Sequence, residues 1–269
     1  MKKIFYLLAI ITLAIGTQSC QEVIDIELND ADKQYVIDGA VIEGVDSVLV
    51  RVTKTTSFFD TNPPEAVTNA DVWLTMPDMS VVELTYLANG YYVAHDLTIT
   101  PASTYSLRVN VDDKEFTASS YMKPSMPLDS LEYEFQEGLF GGEDSYSVFL
   151  IFQDIVGKDY YRIKSSVDGV LLNEAEDILV VDDNLNDGNL IRIPVFTHEY
   201  AAGDTVEAEL QSIDAELYEF YQTFAGVASE DAGSPFSAAP ANPETNIKGG
   251  ALGVFGAYTS SKRTIIIPE

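Results

Sequence analysis

The sequence predicts a mainly β protein built as two β-sandwich-like modules, with one helix near the C-terminus. Apolar residues alternate with polar ones at period two through most of the chain, and turn-forming clusters such as Asp-Thr-Asn-Pro-Pro, Asn-Gly and Asp-Asp cut the alternating segments short. An apolar stripe at helical spacing occurs once. The chain has 269 residues, of which 46% are hydrophobic and 11% aromatic, enough to fill a sizeable core despite the strong charge.

The elements follow in order. Residues 23–28 and 35–41 alternate apolar with polar or acidic side chains. Val48, Val50 and Val52 share one strand face, as do Val72, Leu74 and Met76. Segments 81–87, 91–94, 105–111 and 116–121 continue the series. This spacing predicts a first antiparallel sandwich over 35–124, immunoglobulin-like or transthyretin-like, with seven or eight strands. Lys123, Pro124, Met126 and Pro127 mark a boundary, because proline cannot continue a sheet ladder.

A second module is expected over 125–269, with strands at 131–135, 147–153, 160–166, 178–181, 191–196 and 205–210. Ile213, Leu217, Phe220 and Phe224 then predict a helix over 213–228, capped by Ser212 or Asp214. A stretch rich in glycine, proline and small residues leads to a closing strand at 264–267. Its glycines lack the lysine and serine of a phosphate loop, and they suit close backbone packing or bends.

The first residues carry a different signal. Met1, Lys2 and Lys3 precede an apolar run over 4–15, then Gly16, Thr17, Gln18, Ser19 and Cys20. A positive start, a short apolar run and small or polar residues before a cut form a secretory signal, here 1–19. The run falls short of the about 20 residues that a transmembrane helix needs. Cys20 is the only cysteine, so no disulfide partner exists in the chain, and lipidation of its sulfur is its natural use. The pattern resembles a bacterial lipobox, whose cysteine is diacylated on sulfur, becomes the new N-terminus and is often acylated again on its amine. Thr17 departs from the usual aliphatic residue there. Residues 20–34 then form the lipidated N-terminus and a first strand.

Loss of Lys2 and Lys3 with the signal leaves 13 basic against 43 acidic residues, a formal charge of −30 compared with −28 for the whole chain. Such a surface disfavours nucleic acid and anionic lipid head groups, so no nucleic-acid partner is expected and the lipid alone anchors the protein.

Three stretches carry a family likeness. The opening has Cys20 followed by the acidic and apolar segment 22–27 and then Val36, Ile37, Asp38 and Gly39. The close has Asn242, Pro243, Asn246, Ile247, Gly249, Gly250, Gly253, Phe255 and Ala257, and between them stand Ser57, Phe58, Phe59 and Asp60 before a proline-rich loop. Over nearly the whole mature chain this resembles a family of Bacteroidota lipoproteins, the domain of unknown function 4249. The resemblance implies export to the outer membrane and frequent pairing with a TonB-dependent β-barrel transporter, with no established catalytic activity. Gln21 and Glu22 resemble acidic signals for export to the cell surface, interrupted by Val23 and Ile24, so the surface is favoured over the periplasmic face.

Catalytic chemistry finds little footing. His95 and His198 have no second histidine or cysteine at ligand spacing and read as solvated or structural residues. No serine lies in a nucleophile elbow. With 43 acidic residues, chance carboxylate pairs carry no signal. Asp182, Asp183, Asn184, Asn186, Asp187 and Gly188 have the chemistry of a calcium loop. Glycine falls seventh rather than sixth, however, and no glutamate stands twelfth, so the segment reads as an acidic turn. No metal or cofactor is expected beyond the lipid on Cys20. Phe58 and Phe59 cannot both face one core, which makes them a candidate interface or a pair packed under the Pro63 and Pro64 loop. The family-motif residues Asn242, Pro243, Asn246, Gly249, Gly250, Gly253 and Phe255 read as structural. The expected function is a binding or accessory lipoprotein of a TonB-dependent transporter; the alternatives are a structural or adhesive surface protein and, third, an extracellular hydrolase.

Overall fold

Valines and aromatics at alternate positions place their side chains on one face of each strand, and that face is where the protein buries them. The computed structural model describes residues 32–57, 62–138, 144–195, 198–229 and 242–269. Cys20, Phe58 and Phe59, together with the expected strand at 23–28, lie outside them. The compact unit is Lys33–Glu269.

Eight strands come first: β1 (Tyr35–Ile42), β2 (Val48–Lys54), the two-residue β3 (Glu65–Ala66), β4 (Asp71–Thr75), β5 (Val81–Ala88), β6 (Tyr91–Ala94), β7 (Ser103–Val111) and β8 (Lys114–Met122). Val48, Val50, Val52, Val72 and Leu74 are fully buried. Each contributes about 1.5–3 kcal/mol by leaving water. The hairpins at Asn89-Gly90 and Asp112-Asp113 have both loop residues at positive φ, the backbone that matches the twist of paired strands.

The second series is β9 (Ser130–Gln136), β10 (Ser145–Gln153), β11 (Tyr160–Val167), β12 (Val170–Leu171), β13 (Leu179–Asp182), β14 (Leu190–Pro194) and β15 (Thr205–Ile213). Helix α1 (Ala215–Ser229) and the long strand β16 (Leu252–Ile266) complete the chain. The protein is thus mainly β, with one α-helix near the C-terminus among the described residues.

One sheet follows the order β12, β11, β15, β16, β1, β2, β6, β5, β4, β7, β8, with β13 beside β11 and β3 beside β2; a second sheet is β14, β10, β9. Strand β16 links two cores. Its residues from Leu252 to Tyr258 run parallel to β1, and those from Thr259 to Ile266 run antiparallel to β15. The first core gathers β1 to β8 with Ile247, Ala251, Phe255 and Ala257; the second gathers β9 to β15 with Ile267. The closing strand therefore begins twelve residues before the 264–267 segment that alternation alone predicts. Gly253 and Gly256 mask its period.

The helix also differs in detail from its sequence pattern. Ile213 closes β15, Leu217 is buried, Phe220 is half-buried and Phe224 is exposed, stacked on Phe220. Asp214, rather than Ser212, caps the helix: its Oδ1 accepts the Leu217 N–H at 3.0 Å. Its Oδ2 accepts the Ser120 hydroxyl at 2.6 Å and the Tyr121 N–H at 2.9 Å. Ser120 Oγ in turn accepts the Ala257 N–H at 2.8 Å, so one carboxylate joins α1, β8 and β16.

Candidate functional site

Among the described residues no helix is long and apolar enough to cross a membrane. His95 follows β6 in an exposed position, and the exposed His198 packs its ring edge-on against Tyr200 at 5.1 Å.

The tail motif forms a turn docked on β8 and then enters β16. Asn242 is exposed and Pro243 half-buried in the segment that approaches it. Asn246 Nδ2 donates to the Phe255 carbonyl at 2.6 Å, and the Phe255 N–H donates to Asn246 Oδ1 at 3.0 Å. Lys248 and Thr117 exchange two backbone hydrogen bonds, at 3.1 and 2.7 Å. At Gly249, where φ is +102°, a Cβ would stand 2.4 Å from the Glu115 carbonyl oxygen; at Gly253, where φ is +94°, it would stand 2.1 Å from that of Ile37. Neither position has room for a side chain. Gly250 turns with φ +87° into open space, and Phe255 is fully buried.

The densest chemistry lies beside the second core, where two loops connect its two sheets. One runs from β10 to β11 and carries Asp154 and Asp159. The other runs from β13 to β14 and carries Asp183 and Asp187. Ligand oxygens of Asp154, Asp183 and Asp187 lie within 4.8 Å of one another. Asp154 and Asp183 are buried and Asp187 is exposed.

Hydrogen bonds stitch the two loops together. The Gly188 N–H donates to Asp154 Oδ2 at 2.8 Å, the Gly157 N–H donates to Asp187 Oδ1 at 2.8 Å, and the Asp154 N–H donates to the Asn189 carbonyl at 3.0 Å. The buried Tyr161 hydroxyl donates to Asp154 Oδ1. Burial first, then that bond, drives the Tyr161 pKa far above the usual tyrosine range.

Asp183 is the anomaly. It is 1% exposed, and its Oδ2 is buried without a hydrogen-bond partner. Burial, reinforced by the negative charges of Asp154 and Asp159, pushes its carboxyl above the ordinary aspartate range. Lys123 on the neighbouring loop is engaged elsewhere: its Nζ lies 3.0 Å from Asp159 Oδ1 and donates to the Lys158 carbonyl at 3.0 Å. The sequence singled out Asp183, Asp187 and Gly188 but not Asp154, which sits 29 residues upstream of Asp183 with no local motif to announce it.

A family described as "Domain of unknown function (DUF4249)" matches residues 21–264. Curated proteins give no match. Among solved structures, the chain is similar to the chicken CNTN1 FN1-FN3 domains, with 9% identity over 88% of this chain and 67% of that one and a TM-score of 0.27. It is also similar to murine CEACAM1b, with 11% identity over 87% and 98% and a TM-score of 0.21. Likenesses with TM-scores this low carry no functional argument.

Proposed function

The chain belongs to the family of the domain of unknown function DUF4249, and from that premise we propose that it is a lipid-anchored, non-catalytic subunit at the outer membrane, serving a TonB-dependent β-barrel transporter as a binding or accessory protein. Cys20 carries the reading: it is the sole cysteine, it ends a signal-type stretch, and it stands fifteen residues ahead of β1. Two or three acyl chains on one residue hold a protein stably at a membrane, where a single chain would not. The formal charge of −28 speaks against adhesion to anionic lipid through the body itself.

Support for a binding role comes from the loops around the acidic cluster. Val156 and Leu185 are 87% and 94% exposed, on the two loops that the Asp154 and Asp187 hydrogen bonds hold together. Apolar side chains presented on a braced frame suit burial against a partner.

The test is copurification. Detergent-solubilised protein tagged at its C-terminus is expected to bring down a β-barrel transporter in near-stoichiometric amount. Recovery of the lipoprotein by itself under mild detergent removes the accessory role and leaves a structural or adhesive one.

A further inference from the structure

We propose that Asp154, Asp183 and Asp187 bind one calcium ion, which braces the β10–β11 and β13–β14 loops against each other. The proposal does not depend on the anchor or on any transporter.

The donors are spaced for a shared ion. Two oxygens that share a calcium ion at about 2.4 Å can lie no more than about 4.8 Å apart. The three carboxylates meet that limit, with ligand oxygens all within 4.8 Å of one another. Two of these side chains are buried, and no ion pair among the described residues reaches any of the three. Three aspartates brought so close carry mutual repulsion that a divalent cation cancels.

Asp183 Oδ2 points the same way. A buried carboxylate oxygen without a partner is costly, and folded proteins rarely leave one so. Here it lies in a residue that is 1% exposed, in the same carboxylate whose oxygen faces Asp154 and Asp187. A metal ion is a partner that needs no donor hydrogen. The other two carboxylates are already oriented: Asp154 by Tyr161 and the Gly188 N–H, Asp187 by the Gly157 N–H. Such bonds leave lone pairs free for a cation and hold the ligands in place.

The donor set selects calcium. All three donors are hard carboxylate oxygens, which disfavours zinc and copper. They come from two irregular loops, one ligand buried beside another that is open to water. Calcium accepts 6–8 oxygens in flexible geometry and water can complete its shell, whereas magnesium demands a near-ideal octahedron. The ligands are not those of a contiguous calcium loop: the Asp182 carboxylate accepts from Asn184, and Asp154 joins the cluster from the other loop.

The experiment is calorimetric titration of CaCl2 into the detergent-solubilised, EDTA-treated protein, paired with thermal melting. One saturable site and a calcium-dependent rise in melting temperature are expected. Asp183→Asn keeps the volume and removes the charge, and it should abolish the site; Asp182→Asn should leave it intact. Should Asp183→Asn fail to fold, the exposed Asp187→Asn serves instead and should weaken affinity at least about tenfold. Calcium uptake that never saturates, or that is equal in wild type and variant, would mean a diffuse counter-ion cloud on an acidic surface and would overturn the proposal.

Discussion

The side-chain amide of Asn246 and the main chain of Phe255 exchange two hydrogen bonds, of 2.6 and 3.0 Å, so a single asparagine fills a place that a neighbouring strand would otherwise take. The pairing holds β16 at the point where it enters the first core. Asn246→Ala leaves a buried N–H and carbonyl unpaired, and should lower unfolding free energy by about 2 kcal/mol or more in denaturant titration. Asn242→Ala, in the exposed approach to the same turn, should change it by less than about 0.5 kcal/mol.

Gly253 and Gly250 separate two effects of a missing side chain. Both have positive φ, but a Cβ at Gly253 meets the Ile37 carbonyl oxygen at 2.1 Å, while at Gly250 it meets nothing within 4 Å. Gly250→Ala carries only backbone strain, about 1–2 kcal/mol. Gly253→Ala must also push β1 and β16 apart, so its loss of melting temperature should be at least twice as large. Equal losses would mean that the parallel pairing of these strands yields without cost.

Asp214 joins the helix to two strands, and removing it should destabilise the protein by about 1–3 kcal/mol through the lost cap and the unpaired Ser120 and Tyr121 donors. Burial raises its folded pKa above the ordinary aspartate value. The native state therefore keeps this proton at pH values where the unfolded chain has lost it, so its contribution is greatest below about pH 4 and falls as pH rises through the folded pKa. The stability difference between wild type and Asp214→Ala should accordingly shrink from acid toward neutral pH. A difference that grows with pH contradicts the assignment.

The formal charge of −28 predicts self-repulsion that salt relieves. Melting temperature should rise between about 20 mM and 500 mM NaCl, where the screening length falls several-fold. Calcium at millimolar levels should exceed the effect of sodium at equal ionic strength, because it acts at one site as well as by screening.

Alternation made the strands of both cores legible, since valines and aromatics at period two have one buried face to serve. The start of β16 was hidden because Gly253 and Gly256, needed for close approach to Ile37 and Leu217, interrupt the period. The helix stripe was legible through Leu217, whereas Phe224 stacks on Phe220 near solvent instead of entering a core. The acidic loop showed two of its three carboxylates. Asp154 joins them only because two loops run between the same two sheets, a relationship of topology that no local spacing encodes.

Intact-mass and peptide mass spectrometry of the membrane-extracted protein decides whether Cys20 is the anchor. An N-terminus at Cys20 bearing two or three acyl chains is expected. An unmodified Cys20, or an N-terminus at any other residue, contradicts it.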